Sequence, residues 1–298
     1  MVRAIVKAFF FGNYFYGLCA VALSIEATLQ QGYTLSQSYY YLLVFAITVW
    51  FYTLAYITDP SLSSSANPRV NWYIKHRKFV NSSQIICLFI SLLVGVYVAV
   101  VYWHSMLYMS FKQLFPILLT PLAAVFYYGL SFLPKYNLRK VGWLKPFVIG
   151  FTWAGLITIA PIIFYNLTHH LPQGISPIGW WLFLKNFMFV SVLCIMFDIK
   201  DYASDSNYNV KTFVVTKGLR YTIFSIILPL SVAGLVSFLI FGSLNHFSNK
   251  RLILNIFPFI ALIIVSYALH KRRNIFFYLV IIDGLMLFKA ICGIIASL

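Results

Sequence analysis

Acidic residues are nearly missing from this sequence: among 298 positions there are six, against 22 lysines and arginines, and only 9% of the residues are charged. So little charge cannot solvate the outside of a globular domain, and a soluble fold is excluded on composition. Cysteine is scarce as well. Cys19, Cys87, Cys194 and Cys292 fall in four different apolar stretches with no CxxC pair, which argues against a disulfide framework and for four small core side chains. Apolar stretches recur along the whole length and no soluble domain can be cut out, so residues 1–298 read as one domain. The N-terminal run after Arg3 and Lys7 lacks a convincing small-residue cleavage site, and it reads as a first helix rather than a signal peptide.

What fills the chain is hydrocarbon. The sequence is 61% hydrophobic, its mean hydropathy is +0.86, and apolar runs of roughly 18 to 25 residues recur throughout, each able to cross about 30 Å of lipid as a helix. Single runs of this kind must be helices, because an open strand would leave backbone groups unpaired in lipid. The pattern predicts an all-α integral membrane bundle of nine transmembrane helices, over 8–28, 38–58, 81–103, 113–133, 145–166, 178–198, 221–241, 252–270 and 275–296.

A net charge of +16 invites a nucleic-acid reading, but the bases sit in short clusters between apolar runs, which is topological charge and points to no nucleic acid. With the N-terminus cytoplasmic, Arg3, Lys7, Arg69, Lys75, Arg77, Lys78, Lys135, Arg139, Lys140, Lys145, Lys200, Lys211, Lys217, Arg220 and Lys271–Arg273 share one side. Only Lys112, Lys250 and Arg251 fall on the other, while Lys185 and Lys289 lie within helices. The positive-inside rule therefore places both long polar loops, 59–80 and 199–219, in the cytoplasm, where they could share one site.

Three of the six acids, Asp198, Asp201 and Asp205, crowd into eight positions; the others are Glu26, Asp59 and Asp283. On a helix, offsets of three and seven put the three carboxylates within roughly a 60° arc. Like charges at a membrane boundary raise one another's pKa unless a cation neutralises them. Magnesium suits such a place when phosphate oxygens complete its shell, and Lys200, Lys211, Lys217 and Arg220 add phosphate-binding charge nearby. The plainer alternative is a solvated helix end paired with its lysines.

The stretch DIKDYASDSNYNVKTFVVTKG, residues 198–218, resembles the second aspartate-rich motif of the UbiA superfamily of intramembrane prenyltransferases, with Asp198, Asp201, Asp205, Lys211, Thr212 and Gly218 in place and Asn209 where a glycine is expected. Residues 127–150 are similar to the family's segment joining helices four and five. The first motif should fall within 54–80; there only Asp59 matches, with Ala55 and Tyr56 at the Asn-Asp pair and Ser63 at the last acid. Lys75, Arg77 and Lys78 either compensate as fixed positive charge or serve only as a membrane anchor.

The resemblance implies Mg2+ held by Asp198, Asp201, Asp205 and Asp59 on a prenyl diphosphate, with Lys145, Lys200 and Lys211 binding that diphosphate. It implies transfer of the isoprenyl group to a lipophilic acceptor of quinone or pigment type, in a cell inner membrane, with the site facing the cytoplasm. The alternative is a catalytically degenerate UbiA-fold protein that binds a lipid or partner. Asp283 and Asn13 are the candidate cavity-facing polar groups, with structural hydrogen bonding as the competing role. Glu26 is expected near the outer interface, and His169 and His170 in solvent. Aromatic residues make up 19% of the chain, fit either to line an isoprenoid pocket or to pack and form interfacial belts.

Overall fold

A computed structural model of the chain describes residues 2–58, 68–128 and 141–298, and helices are the only regular elements among them. In order they are α1 (Val2–Phe11), α2 (Tyr14–Gln30), α3 (Ser38–Thr58), α4 (Pro68–Lys75), α5 (Arg77–Val101), α6 (Trp103–Leu107), α7 (Phe111–Tyr128), α8 (Lys145–Ala154), α9 (Ala160–Thr168), α10 (Pro177–Asn207), α11 (Phe213–Lys217), α12 (Leu219–Tyr221), α13 (Leu228–Leu244), α14 (Asn249–Ala268) and α15 (Gly284–Ser297). Wide π-helical turns at Gly155–Ile159, Thr222–Ile227 and Phe277–Ile282 join α8 to α9, α12 to α13, and lead into α15.

Six continuous helical stretches are long and apolar enough to cross a membrane: Arg77–Val101, Lys145–Thr168, Pro177–Asn207, Leu219–Leu244, Asn249–Ala268 and Phe277–Ser297. The bent pair Ala4–Phe11 and Tyr14–Gln30 makes a seventh if counted as one span, and the shorter apolar helices Ser38–Leu54 and Phe111–Tyr127 overlap the expected spans 38–58 and 113–133, so among the described residues six or seven stretches, against the nine expected, have the length of a crossing. Along α5, Ile85, Phe89, Leu92, Val96 and Val100 are all more than half exposed. Such a stripe would promote aggregation in water, whereas it is an ordinary lipid-facing surface in a bilayer.

The first expected span, drawn as one run over 8–28, is corrected. The helix breaks at Gly12–Asn13, where the axes bend by 59° and Asn13 adopts φ 66°, a left-handed conformation that asparagine tolerates better than most residues. The carbonyls left open at the end of α1 are taken up in turn: the Arg69 guanidinium donates to Phe11 O at 3.2 and 3.1 Å, and the Tyr73 hydroxyl donates to the same oxygen at 2.9 Å. Asn13 donates through Nδ2 to Thr53 Oγ1 (2.9 Å) and Tyr73 Oη (3.0 Å), and its Oδ1 accepts from Arg69. Burial pushes the Tyr73 phenol up to about 12, so it remains a donor over the whole physiological range.

The helices group into two compact units. In the first, residues 1–21, 36–109 and 167–171, α3 packs on α5 around Ala46, Val49 and Cys87, flanked by Tyr14, Phe45, Trp50 and Ile90. In the second, residues 22–35, 110–166 and 172–298, α10 is the central rod, with α8 and α13 against it and α14 packed on α13 and α15. The core there is built from Ile157, Ile162, Leu182, Phe189, Ile195 and Met196, all almost fully buried.

Candidate active site

α10 begins at Pro177, capped by the Ser176 side chain accepting from Gly179 N. It runs unbroken past the expected membrane end at 198 to Asn207, so Asp198, Asp201 and Asp205 lie on one continuous helix rather than partly in a loop. Its end is a Schellman motif: Asn209 N donates to Ser206 O (3.2 Å) and Val210 N to Asp205 O (2.8 Å), with Asn209 left-handed at φ 55°. The motif wants glycine or asparagine at that place, which is the physical reason an asparagine can stand where the family pattern has glycine.

Two glycines set the depth of the site. A Cβ on Gly150 of α8 would lie 2.2 Å from Ser191 Oγ and 2.9 Å from Phe187 O, so only glycine lets α8 lie this close to α10. Gly142, just before α8, would place a Cβ 2.4 Å from the Lys211 carbonyl carbon and 2.5 Å from Thr212 N. The backbone that leads into Lys145 therefore rests directly on the backbone of Lys211 and Thr212.

The antiparallel seating of α8 on α10 brings the Lys145 ammonium to 2.8 Å from Asp198 Oδ1. The Asp198 side chain is 1% exposed and that of Lys145 18% exposed, and Asp198 Oδ2 is buried with no hydrogen-bond partner. One turn on, Asp201 is 37% exposed and pairs with Lys200 at 3.3 Å, while Lys200 also lies over the Phe197 ring at 5.2 Å. Asp205 is half-buried and Lys211 exposed. The three acids thus form a ladder that starts from a buried, lysine-paired carboxylate, Asp198, and continues through the half-buried Asp201 and Asp205. Part of the cation that the crowded carboxylates require comes from the chain itself, through Lys145.

Among the described residues, no three His, Cys, Asp or Glu side chains are placed to hold a metal ion together, so a closed protein cage is not present. Magnesium held by one or two carboxylates plus phosphate oxygens needs no such cage, and the orphaned Asp198 Oδ2 with the hard oxygens of Asp201 is a donor set of that kind. Asp59 lies outside the described residues. Asp283 is buried where the π-helical turn meets α15. Asn13 belongs to the other unit, at the helix break.

Glu26 is 1% exposed and pairs with Lys289 at 2.6 Å inside the second unit. Lys185 and Asn255 belong to the same cluster, which was missed in the sequence. The signal was available: Glu26, Lys185 and Lys289 are ionisable groups within apolar helices, and such groups pair with one another.

Long apolar helices with their charged groups paired inside define an all-helical, multi-pass integral membrane protein. Its fold is similar to that of a UbiA homologue from Aeropyrum pernix K1, solved in the apo state, with a TM-score of 0.60 over 93% of this chain and 95% of that one at 13% identity. The chain therefore shares the fold of that homologue. No family model matches the sequence, and no curated protein matches it.

Proposed function

We propose that the protein is a UbiA-type prenyltransferase, moving an isoprenyl group from a prenyl diphosphate to a lipophilic, aromatic acceptor. The observation that carries this reading is the single continuous helix bearing Asp198, Asp201 and Asp205 with Lys145 drawn onto it, in a chain of UbiA fold. Asp198, Asp201 and Asp205 would hold magnesium. Magnesium, when bound, neutralises diphosphate oxygens and makes the diphosphate a better leaving group.

The chain's own residues do the rest. Lys145, fixed on Asp198, presents a partly buried ammonium, and Lys200, paired with Asp201, and the exposed Lys211 add further positive charge, together stabilising the charge that develops on the departing oxygen. The allylic C–O bond breaks with both electrons going to the diphosphate. An acceptor carbon then supplies the pair for the new C–C bond and loses its proton. The clustering of Lys and Arg supports an N-terminus and a site on the cytoplasmic side.

One observation favours a second reading, a UbiA-fold protein that binds a lipid or partner without transfer: Asp198 Oδ1 is already satisfied by Lys145, as it would be if the lysine had replaced a metal. Titrating the purified protein in lipid with magnesium and a prenyl diphosphate, wild type beside Asp201→Asn, separates the two. Magnesium-dependent binding that is lost in the variant, followed by release of diphosphate when acceptor is added, supports the transferase. Magnesium-independent lipid binding supports the second reading.

A further inference from the structure

Lys185 precedes Asp198 on α10 by about 20 Å at 1.5 Å per residue, toward the other end of the same helix. There it belongs to a buried cluster within the second unit. Lys289 of α15 donates to both oxygens of Glu26 at 2.8 and 2.6 Å. Lys185 Nζ lies 3.9 Å from Glu26 Oε1 and donates to Asn255 Oδ1 at 2.7 Å. Gln30 Nε2 donates to Glu26 Oε1 (3.1 Å) and Asn255 Oδ1 (2.9 Å). Arg251, at the start of α14, donates to the Gln30 carbonyl and stacks on Phe247 at 4.0 Å.

The charges do not balance. Two lysines, Lys185 and Lys289, share the Glu26 carboxylate, both with side chains 3% exposed, and a third base, Arg251, joins the cluster through the Gln30 carbonyl with no acid of its own. Nor do the hydrogen bonds. The acceptors are crowded, since Glu26 Oε1 and Asn255 Oδ1 each take two donors. Donors are left over: an ammonium has three N–H groups, Lys185 has one acceptor within hydrogen-bond distance and otherwise faces the rings of Phe238 (5.0 Å) and Trp181 (5.8 Å), and Arg251 Nε is buried without a partner. A fold built only to cross-link helices would pair one base with one acid; surplus buried cations with surplus donors call for a further acceptor.

We propose that this cluster is an anion site, separate from the aspartate ladder, at which Arg251 Nε and Lys185 Nζ bind a phosphate oxyanion entering past half-buried Arg251. The phosphate belongs either to a free ion or to the headgroup of an anionic lipid. Gln30 and Asn255 hold the two cations in place, and Glu26 keeps Lys289 from competing for the ligand.

The test uses the full chain in phosphatidylcholine nanodiscs, without magnesium and at constant ionic strength. Its thermal midpoint is followed against inorganic phosphate with chloride as control, and again in nanodiscs with phosphatidylglycerol added. A phosphate-dependent rise in phosphatidylcholine assigns the free ion; a rise only with phosphatidylglycerol assigns the lipid headgroup. Arg251→Gln and Lys185→Met should each weaken the effect about tenfold, the worth of one charge-assisted hydrogen bond, and Glu26→Gln should strengthen it. If Lys185→Met fails to fold, Arg251→Gln alone carries the comparison. No rise with either ligand overturns the proposal, because Lys185 would then settle the imbalance by giving up its proton. An equal rise in wild type and Arg251→Gln overturns it too, because the phosphate would be binding elsewhere.

Discussion

The ammonium of Lys145 meets one oxygen of Asp198 at 2.8 Å and leaves the other buried and unbonded. This lopsided pairing sets what each partner's removal should do. Lys145→Met strands a buried carboxylate and should destabilise the protein by about 2–3 kcal/mol. Adding Asp198→Asn should recover much of that loss, because the charge that needed a partner is gone. Thermal unfolding of the two single variants and the double variant checks it: additive losses would mean that the pair is not energetically coupled.

Asp201 is far more exposed than Asp198. Asp201→Asn should therefore leave stability within about 0.5 kcal/mol of wild type while abolishing magnesium-dependent binding of a prenyl diphosphate. Calorimetric titration measures the second effect and thermal unfolding the first. Undiminished binding would move the metal off this carboxylate.

Gly142→Ala puts a methyl group 2.4 Å from the Lys211 backbone. The contact cannot be relieved by a side-chain rotation, so the two segments must part, at about 1–3 kcal/mol. Weaker diphosphate binding is expected, although every charged side chain is still present. A variant that binds like wild type would show that the seam does not position Lys145 and Lys211.

Asn209 carries the left-handed position of the cap on α10. Asn209→Gly should change stability by only a few tenths of a kcal/mol, whereas Asn209→Val should cost about 1–2 kcal/mol, since a branched side chain is strained at positive φ. Melting curves of the two variants decide it; equal midpoints would mean that the cap contributes little.

The acidic face of α10 was legible because a helix repeats every 3.6 residues, and i, i+3, i+7 is visible in a string of letters. The break at Asn13 was less so: Gly12-Asn13 is a turn signal, but it sits inside an apolar run long enough to pass as one span, and its stabilising partners Thr53, Arg69 and Tyr73 are distant in sequence. The cluster around Glu26 shows the same limit more sharply. Its partner Lys289 is 263 positions away, and no local period encodes such a pairing. Only the cost of leaving a charge bare in lipid implied that some partner existed. The pairing of Lys145 with Asp198 likewise depends on Gly150, whose role as a contact point is unreadable until α8 and α10 are seen together.

The seam at Gly142 also bears on timing. Where two backbones touch without an intervening side chain, the segments on either side cannot shift independently, so a displacement of the one carrying Lys145 would carry the one with Lys211 along. A bound diphosphate gripped from both would not escape by loosening one lysine at a time. In the proposed transferase, departure of the diphosphate would then be a single cooperative event instead of a stepwise unbinding.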